Sequence, residues 1–133
     1  MIDQAINLIK QMHKETNYSK FRLDESKLRS TLEHLIEKKQ FIRVSDDAIM
    51  IGVIEETFFG PDLIANDVLL YVSEKKRGLG IAESLIEEFK RWSIGNGAVS
   101  CIIGQTTGVY KNQFKALMKK VDAKQIGVVC EVF

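Results

Sequence analysis

Apolar residues recur at helical spacing from the first turn of the chain. Ile2, Ala5, Ile6, Ile9 and His13 share one face and predict an amphipathic helix over residues 2 to about 15. Asn17 to Arg22 is polar and aromatic and reads as a loop. Asp24 or Ser26 can cap a second helix with Leu28, Leu32, Leu35 and Ile36 inward, ending near the Glu37–Gln40 charges. The period then changes. Phe41 to Val44 and Ala48 to Glu55 predict a hairpin around the turn-forming Ser45-Asp46-Asp47. Gly52 inside the second strand suggests a bulge or a close approach. Phe59 to Asp62 breaks the pattern and forms a loop.

Val68 to Val72 is mostly apolar, as for a strand covered on both faces. Ser73 to Leu79 is a turn. Ile81, Leu85, Ile86, Phe89 and Trp92 mark a helix over 80–94, closed by Gly95 and Gly97. A strand over 98–103 follows, so 68–103 forms one βαβ unit with parallel strands and a right-handed crossover. After a Gln105–Gly108 loop, Tyr110, Phe114, Leu117, Met118 and Val121 line a fourth helix, and Lys124 to Phe133 reads as a final strand. The order ααββ, βαβ, αβ predicts an α/β fold, a mixed central sheet with helices on both faces. No repeat, low-complexity stretch or linker divides the chain, so residues 1–133 read as one domain.

Composition adds limits. The 133 residues are 45% hydrophobic and 28% charged, with one proline, an ordinary globular balance. Lys and Arg number 19 against 18 Asp and Glu, which argues against a protein that coats nucleic acid. Cys101 and Cys130 lie in apolar contexts without CxxC spacing and are expected to be buried free thiols. His13 and His34 lack metal-ligand spacing, so no metal is expected. No apolar run approaches the roughly 20 residues of a membrane span. Asp3, Lys10 and Lys14 interrupt any signal-peptide layout, and a cytoplasmic location is the expectation.

The chemistry concentrates at residues 68–92. A strand feeding a glycine turn into a helix start presents converging N–H groups and the positive end of a helix dipole to an anion. Gly78, Gly80 and Ala82 allow a bulky anion close to the backbone, and Lys75, Lys76 and Arg77 supply positive charge. A plain strand-to-helix turn with a solvated basic face is the competing reading. The Walker pattern is absent, and the dinucleotide fingerprint fails because Glu83 stands where its third glycine belongs.

Residues 71 to 82, Y-V-S-E-K-K-R-G-L-G-I-A, resemble the acetyl-coenzyme A motif of the GCN5-related N-acetyltransferases, in which R/Q-x-x-G-x-G/A opens a helix after an apolar strand. The element order fits that family over most of the chain. The resemblance implies a mixed sheet of about five to six strands, acetyl-CoA as cosubstrate, and direct transfer of an acetyl group to a primary amine on a small molecule or peptide. It implies that the backbone of Arg77, Gly78, Leu79, Gly80, Ile81 and Ala82 binds the pyrophosphate, with Ser84 adding a hydroxyl and Asn112 near the position of the family's late-helix asparagine. The backbones of Leu70, Tyr71 and Val72 would flank the pantetheine arm, in a splay between this strand and 99–103. A backbone N–H near Val72 would face the oxyanion.

This chain departs from the family pattern in two places. Met118 occupies the position of the tyrosine that usually reprotonates the leaving thiolate, and methionine donates no proton. Tyr110 and Tyr71 are the substitutes, each with a structural reading as a rim or strand aromatic. Glu55, with its neighbour Glu56, and Asp67 are the candidate general bases, each with a solvated-surface alternative. The chain also enters helix directly at Ile2, where many family members begin with a strand, and Asn17, Tyr18, Phe21 and Arg22 are expected to line the acceptor pocket. Met118 motivates a second reading, a non-catalytic module that binds coenzyme A or a protein partner. The apolar last strand is a candidate for pairing two copies into a homodimer.

Overall fold

The computed structural model describes residues 1–133. The elements are α1 (Ile2–Glu15), a short 3-10 turn (Asn17–Lys20), α2 (Glu25–Glu37), β1 (Phe41–Val44), β2 (Ala48–Glu56), β3 (Leu63–Val72), a second 3-10 turn (Glu74–Lys76), α3 (Ile81–Gly95), β4 (Ala98–Ile102) and α4 (Lys111–Lys120). The strands form a single sheet in the order β1-β2-β3-β4. β1, β2 and β3 are antiparallel neighbours, and β3 and β4 are parallel, as the crossover through α3 requires.

Alternation along the strands assigns each face its layer. Ile49, Ile51 and Tyr71 pack beneath α1 and α2, against Ala5, Ile6, Leu8, Ile9, Met12 and Leu32. Met50, Phe41 and Ala65 meet Ile86 and Phe89 of α3 on the opposite face, where Val121 closes the cluster. Because both faces of the sheet are covered, Ala48 to Ile51 form an unbroken buried run. The buried stripe of α1 runs through Leu8 and Met12, while His13 sits at its edge with Nε2 2.7 Å from the Phe21 carbonyl. Asp24 caps α2, accepting from the Lys27 N–H at 3.1 Å.

Gly52 serves both purposes that its position suggested. Between Ile51–Leu69 and Gly52–Asp67 the register slips by one, leaving Val68 as an unpaired bulge on β3. A Cβ at Gly52 would also lie 2.2 Å from Cε1 of Phe89, a ring with no exposed surface. Gly52→Ala is therefore expected to lower stability by about 1–3 kcal/mol through overpacking, read as a fall in the urea midpoint at constant slope. An unchanged midpoint would mean that the Phe89 ring yields freely.

Four expectations are corrected. β3 begins at Leu63 rather than Val68, since pairing with β2 carries Asn66 and Asp67 into the ladder against their poor strand propensity. The sheet has four strands rather than five or six. Lys124 to Phe133 forms no strand: its apolar, β-branched run confers propensity, but the segment pairs with neither free edge of the sheet. This segment makes no backbone ladder and leaves Ile126, Val128, Val129, Val132 and Phe133 exposed. It is held near the 3-10 turn by an ion pair between Lys20 and Glu131. Cys101 and Cys130 are free but exposed, one on the edge strand β4 and the other on this unpaired segment.

Candidate functional site

The turn after β3 is an array of unused donors. Ser73 is buried and its N–H donates to Asp47 O. The Lys76 N–H then donates to Ser73 O at 2.9 Å and the Arg77 N–H to Glu74 O at 3.3 Å. The next backbone bond runs from Ser84 N to Gly80 O. The N–H groups from Gly78 to Glu83 thus have no acceptor within the chain, and no side chain caps α3. Gly78 and Gly80 both hold φ of 82°, which turns successive N–H groups to one side at a conformation that disfavours other residues. A Cβ at either would meet nothing within 4 Å, so the space in front of them is open. Ser84 is exposed in the first turn of α3, and Asn112 in the first turn of α4.

The positive charge is arranged differently from the expectation. Arg77 turns inward: its Nε donates to the Val72 carbonyl at 2.8 Å and Nη2 to Glu15 Oε2 at 2.7 Å. Lys75 faces Asp47 at 3.5 Å. Of the three, Lys76 alone is exposed with no ion pair. An open cavity of about 500 Å³ nearby, beneath α1, is lined by Glu15, Asp46, Asp47 and Glu74 with Lys75 as its one cation, a balance that repels phosphate.

β3 and β4 part above the turn's far end. Their parallel pairing runs from Leu63 to Asn66 on β3 and stops. From Asp67 to Val72, about 17 Å of strand, the β4 side of β3 has no neighbour in the sheet. Asp67 stands where the strands separate, and its Oδ1 accepts from the Gly104 N–H at 3.1 Å. Burial pushes this carboxyl up to about 6, against the opposing pull of the Gly104 N–H. The bulge at Val68 changes the parity of the strand. Ala65 and Leu70 therefore both face α3, while Leu69 and Tyr71 face α1.

The other candidates fall at different distances from this split. Glu55 pairs with Ile64 at the opposite end of β3 from the turn and is exposed, with Glu56 beyond it. Tyr71 is buried, and its hydroxyl donates to Glu15 Oε1 at 2.8 Å. Burial and then the Glu15 carboxylate push the phenol up to about 12, which makes it a poor proton donor at neutral pH. Tyr110 sits at the left-handed N-terminus of α4 (φ 58°) with its ring centroid 4.7 Å from Arg77 Cζ. Met118 packs against the core under α3. The loop expected at the acceptor side meets the Gln105–Gly108 loop: Asn17 N donates to Thr107 O, Tyr18 pairs with Thr106, and a Cβ at Gly108 would crowd Asn17. Phe21 is half exposed against the C-terminal segment.

Glu15 and Gly104 were missed from sequence, as was the place of the bulge on β3, at Val68 opposite Gly52. Glu15 looks like any solvated charge at a helix end, and Gly104 acts through its backbone alone. No group of three or more His, Cys, Asp or Glu side chains is placed to hold a metal, and no helix is long and apolar enough to cross a membrane.

No protein-family model and no curated protein matches the chain by sequence. Solved structures match its fold. An aminoglycoside acetyltransferase from an uncultured soil metagenomic sample aligns with a TM-score of 0.66 at 17% identity, over 98% of this chain and 86% of the other. AAC(6')-Iy, in complex with the bisubstrate analogue CoA-S-monomethyl-acetylneamine, aligns at 0.77 and 13% over 99% and 90%. Glucosamine-6-phosphate N-acetyltransferase from Arabidopsis thaliana aligns at 0.73 and 12% over 100% and 93%. The chain thus has the fold of the GCN5-related N-acetyltransferases.

Proposed function

We propose that the protein is an acetyl-coenzyme A-dependent N-acetyltransferase that acts on a primary amine in a ternary complex. One observation carries this reading: a run of unpartnered N–H groups at Gly78–Glu83 lies at one end of an open strand edge, and a carboxyl of raised pKa stands at the other. The turn suits a pyrophosphate. The open edge from Asp67 to Val72 suits an extended amide-bearing arm such as pantetheine, whose groups can complete the strand's missing ladder. The Val72 carbonyl is already taken by Arg77, which leaves the remaining groups of this edge for that role. Bound there, acetyl-coenzyme A supplies an acetyl group activated as a thioester.

Asp67 is the residue for proton removal. An amine is a nucleophile only when neutral, and a carboxylate of pKa about 6 is ionised at neutral pH while still basic enough to accept a proton in passing. Having taken the amine's proton, the same carboxyl can pass it to the departing coenzyme A thiolate, so protonation of the leaving group does not require a phenol at position 118. Glu55 is the less suited base because of its place at the far end of β3.

The test is a melting measurement with acetyl-coenzyme A. Saturation a hundredfold above Kd stabilises a protein by about 2.7 kcal/mol, a rise of several degrees here. No shift at millimolar ligand would reject the reading. Thiol release with a panel of polyamine, aminoglycoside, amino-acid and peptide amines then identifies the acceptor. Met118, packed in the core where a proton-donating tyrosine is expected, supports a second reading as a non-catalytic coenzyme A-binding module. A melting shift with no thiol release from any acceptor would favour it.

A further inference from the structure

Resting on the coenzyme A reading, we propose that Arg77 is a positioning residue that fixes the glycine turn from behind, with Glu15 and Tyr110 as its partners, and does not itself bind phosphate. The guanidinium joins four segments. Nε holds the last carbonyl of β3, at Val72; Nη2 holds Glu15 in the last turn of α1; Cζ lies 4.7 Å from the ring centroid of Tyr110, which opens α4; and the turn itself carries the side chain. Both oxygens of Glu15 are used, since Oε1 accepts from Tyr71. Burial alone would raise the Glu15 carboxyl, but the Arg77 and Tyr71 hydrogen bonds outweigh it and hold the group below its ordinary range, so it carries full charge at neutral pH. A guanidinium paired with that carboxylate, a carbonyl and an aromatic face has its charge balanced locally and would have to give up both hydrogen bonds to swing toward a ligand.

Its position along the chain gives the arrangement its effect. Gly78, where the unbroken run of free N–H groups begins, follows Arg77 directly, and two glycines without Cβ atoms cannot fix the turn themselves. Glu15 leads into the Asn17 loop and Tyr110 ends the Thr107 loop, and those two loops are hydrogen-bonded to each other. The clamp therefore lies between the donor array and the loops on its far side. Lys76, exposed and without an ion pair, is the side chain left to meet phosphate charge.

Calorimetric titration with coenzyme A at low and high salt tests the assignment. Arg77→Lys keeps the charge but loses the planar fork, and Glu15→Gln keeps the size but loses the charge. Each is expected to weaken binding about tenfold, the loss expected for a charge-assisted hydrogen bond, and the double variant to be little worse than either single one. Both should retain the salt dependence of the parent protein, whereas Lys76→Ala should flatten it. Where Glu15→Gln proves unstable, Tyr110→Leu removes the stack and leaves the ion pair, and a severalfold loss is again expected. Affinity retained in Arg77→Lys, or tighter binding in Glu15→Gln as Arg77 swings free, would show a phosphate ligand and overturn the proposal. Absence of binding to the parent protein would remove the coenzyme A reading and this proposal together.

Discussion

The substitution Gly80→Asp is expected to cost about a hundredfold in affinity for coenzyme A while leaving the melting temperature near that of the parent, because the new carboxylate occupies the charge site that the turn builds. Gly80 is the N-cap of α3, at φ 82° and with open space before it. Aspartate tolerates the left-handed region better than most residues, at a strain of about 1 kcal/mol. At a helix start its carboxylate can take N–H groups of the first turn, which returns about 1 kcal/mol. Those N–H groups, of Ala82 and Glu83, belong to the Gly78–Glu83 run that has no other acceptor. The variant thus removes the donors and places a negative charge against a phosphate, a like-charge contact that costs several kcal/mol. The measurement is calorimetric titration beside a thermal melt. Binding at parental strength in a folded Gly80→Asp protein would show that the pyrophosphate lies elsewhere.

That turn was the most legible part of the chain, for a physical reason. Its function resides in backbone conformation, and glycine at 78 and 80 announces the conformation directly. The helices and the hairpin were legible for a similar reason: period 3.6 in α1 follows from burying one face, and the unbroken apolar run of β2 from burying both. The apolar run that made β2 readable misled at Lys124–Phe133, where a similar run pairs with neither free edge of the sheet. The start of β3 was hidden because Asn66 and Asp67 are poor strand formers whose place is set by β2. At the site, the sequence supplied the right residue types but not their partners. Arg77 looked like a phosphate ligand because it follows two lysines. Its pairing with Glu15, distant in the chain, depends on α1 lying across the end of β3. Tyr71 has the chemistry of a proton donor in sequence, but in the fold the same carboxylate holds its hydroxyl.

Asp67→Asn is expected to make the protein more stable and much less active. Burial raises the Asp67 carboxyl from 3.8 to about 6. Below pH 3.8 both the folded and unfolded chains hold the proton, and nothing is gained or lost. Between 3.8 and 6 only the folded chain holds it, so stability falls as pH rises, and above 6 the fold carries a buried charge. At 1.36 kcal/mol per unit, that charge weakens the fold by at most about 3 kcal/mol. Asparagine stays neutral and its carbonyl can still accept from Gly104, so the variant should gain about 1–3 kcal/mol in urea unfolding at pH 7–8 and nothing near pH 3.5. Acetyl transfer should fall about a hundredfold, the usual scale for a lost general base, and the parent's rise in kcat/KM through pH 6 should disappear. A protein retains a destabilising carboxylate where chemistry needs it. Greater stability with undiminished turnover would assign the base to another residue. Lower stability at pH 8 would mean that the Asp67 charge is solvated and that its raised pKa has no part in the reaction.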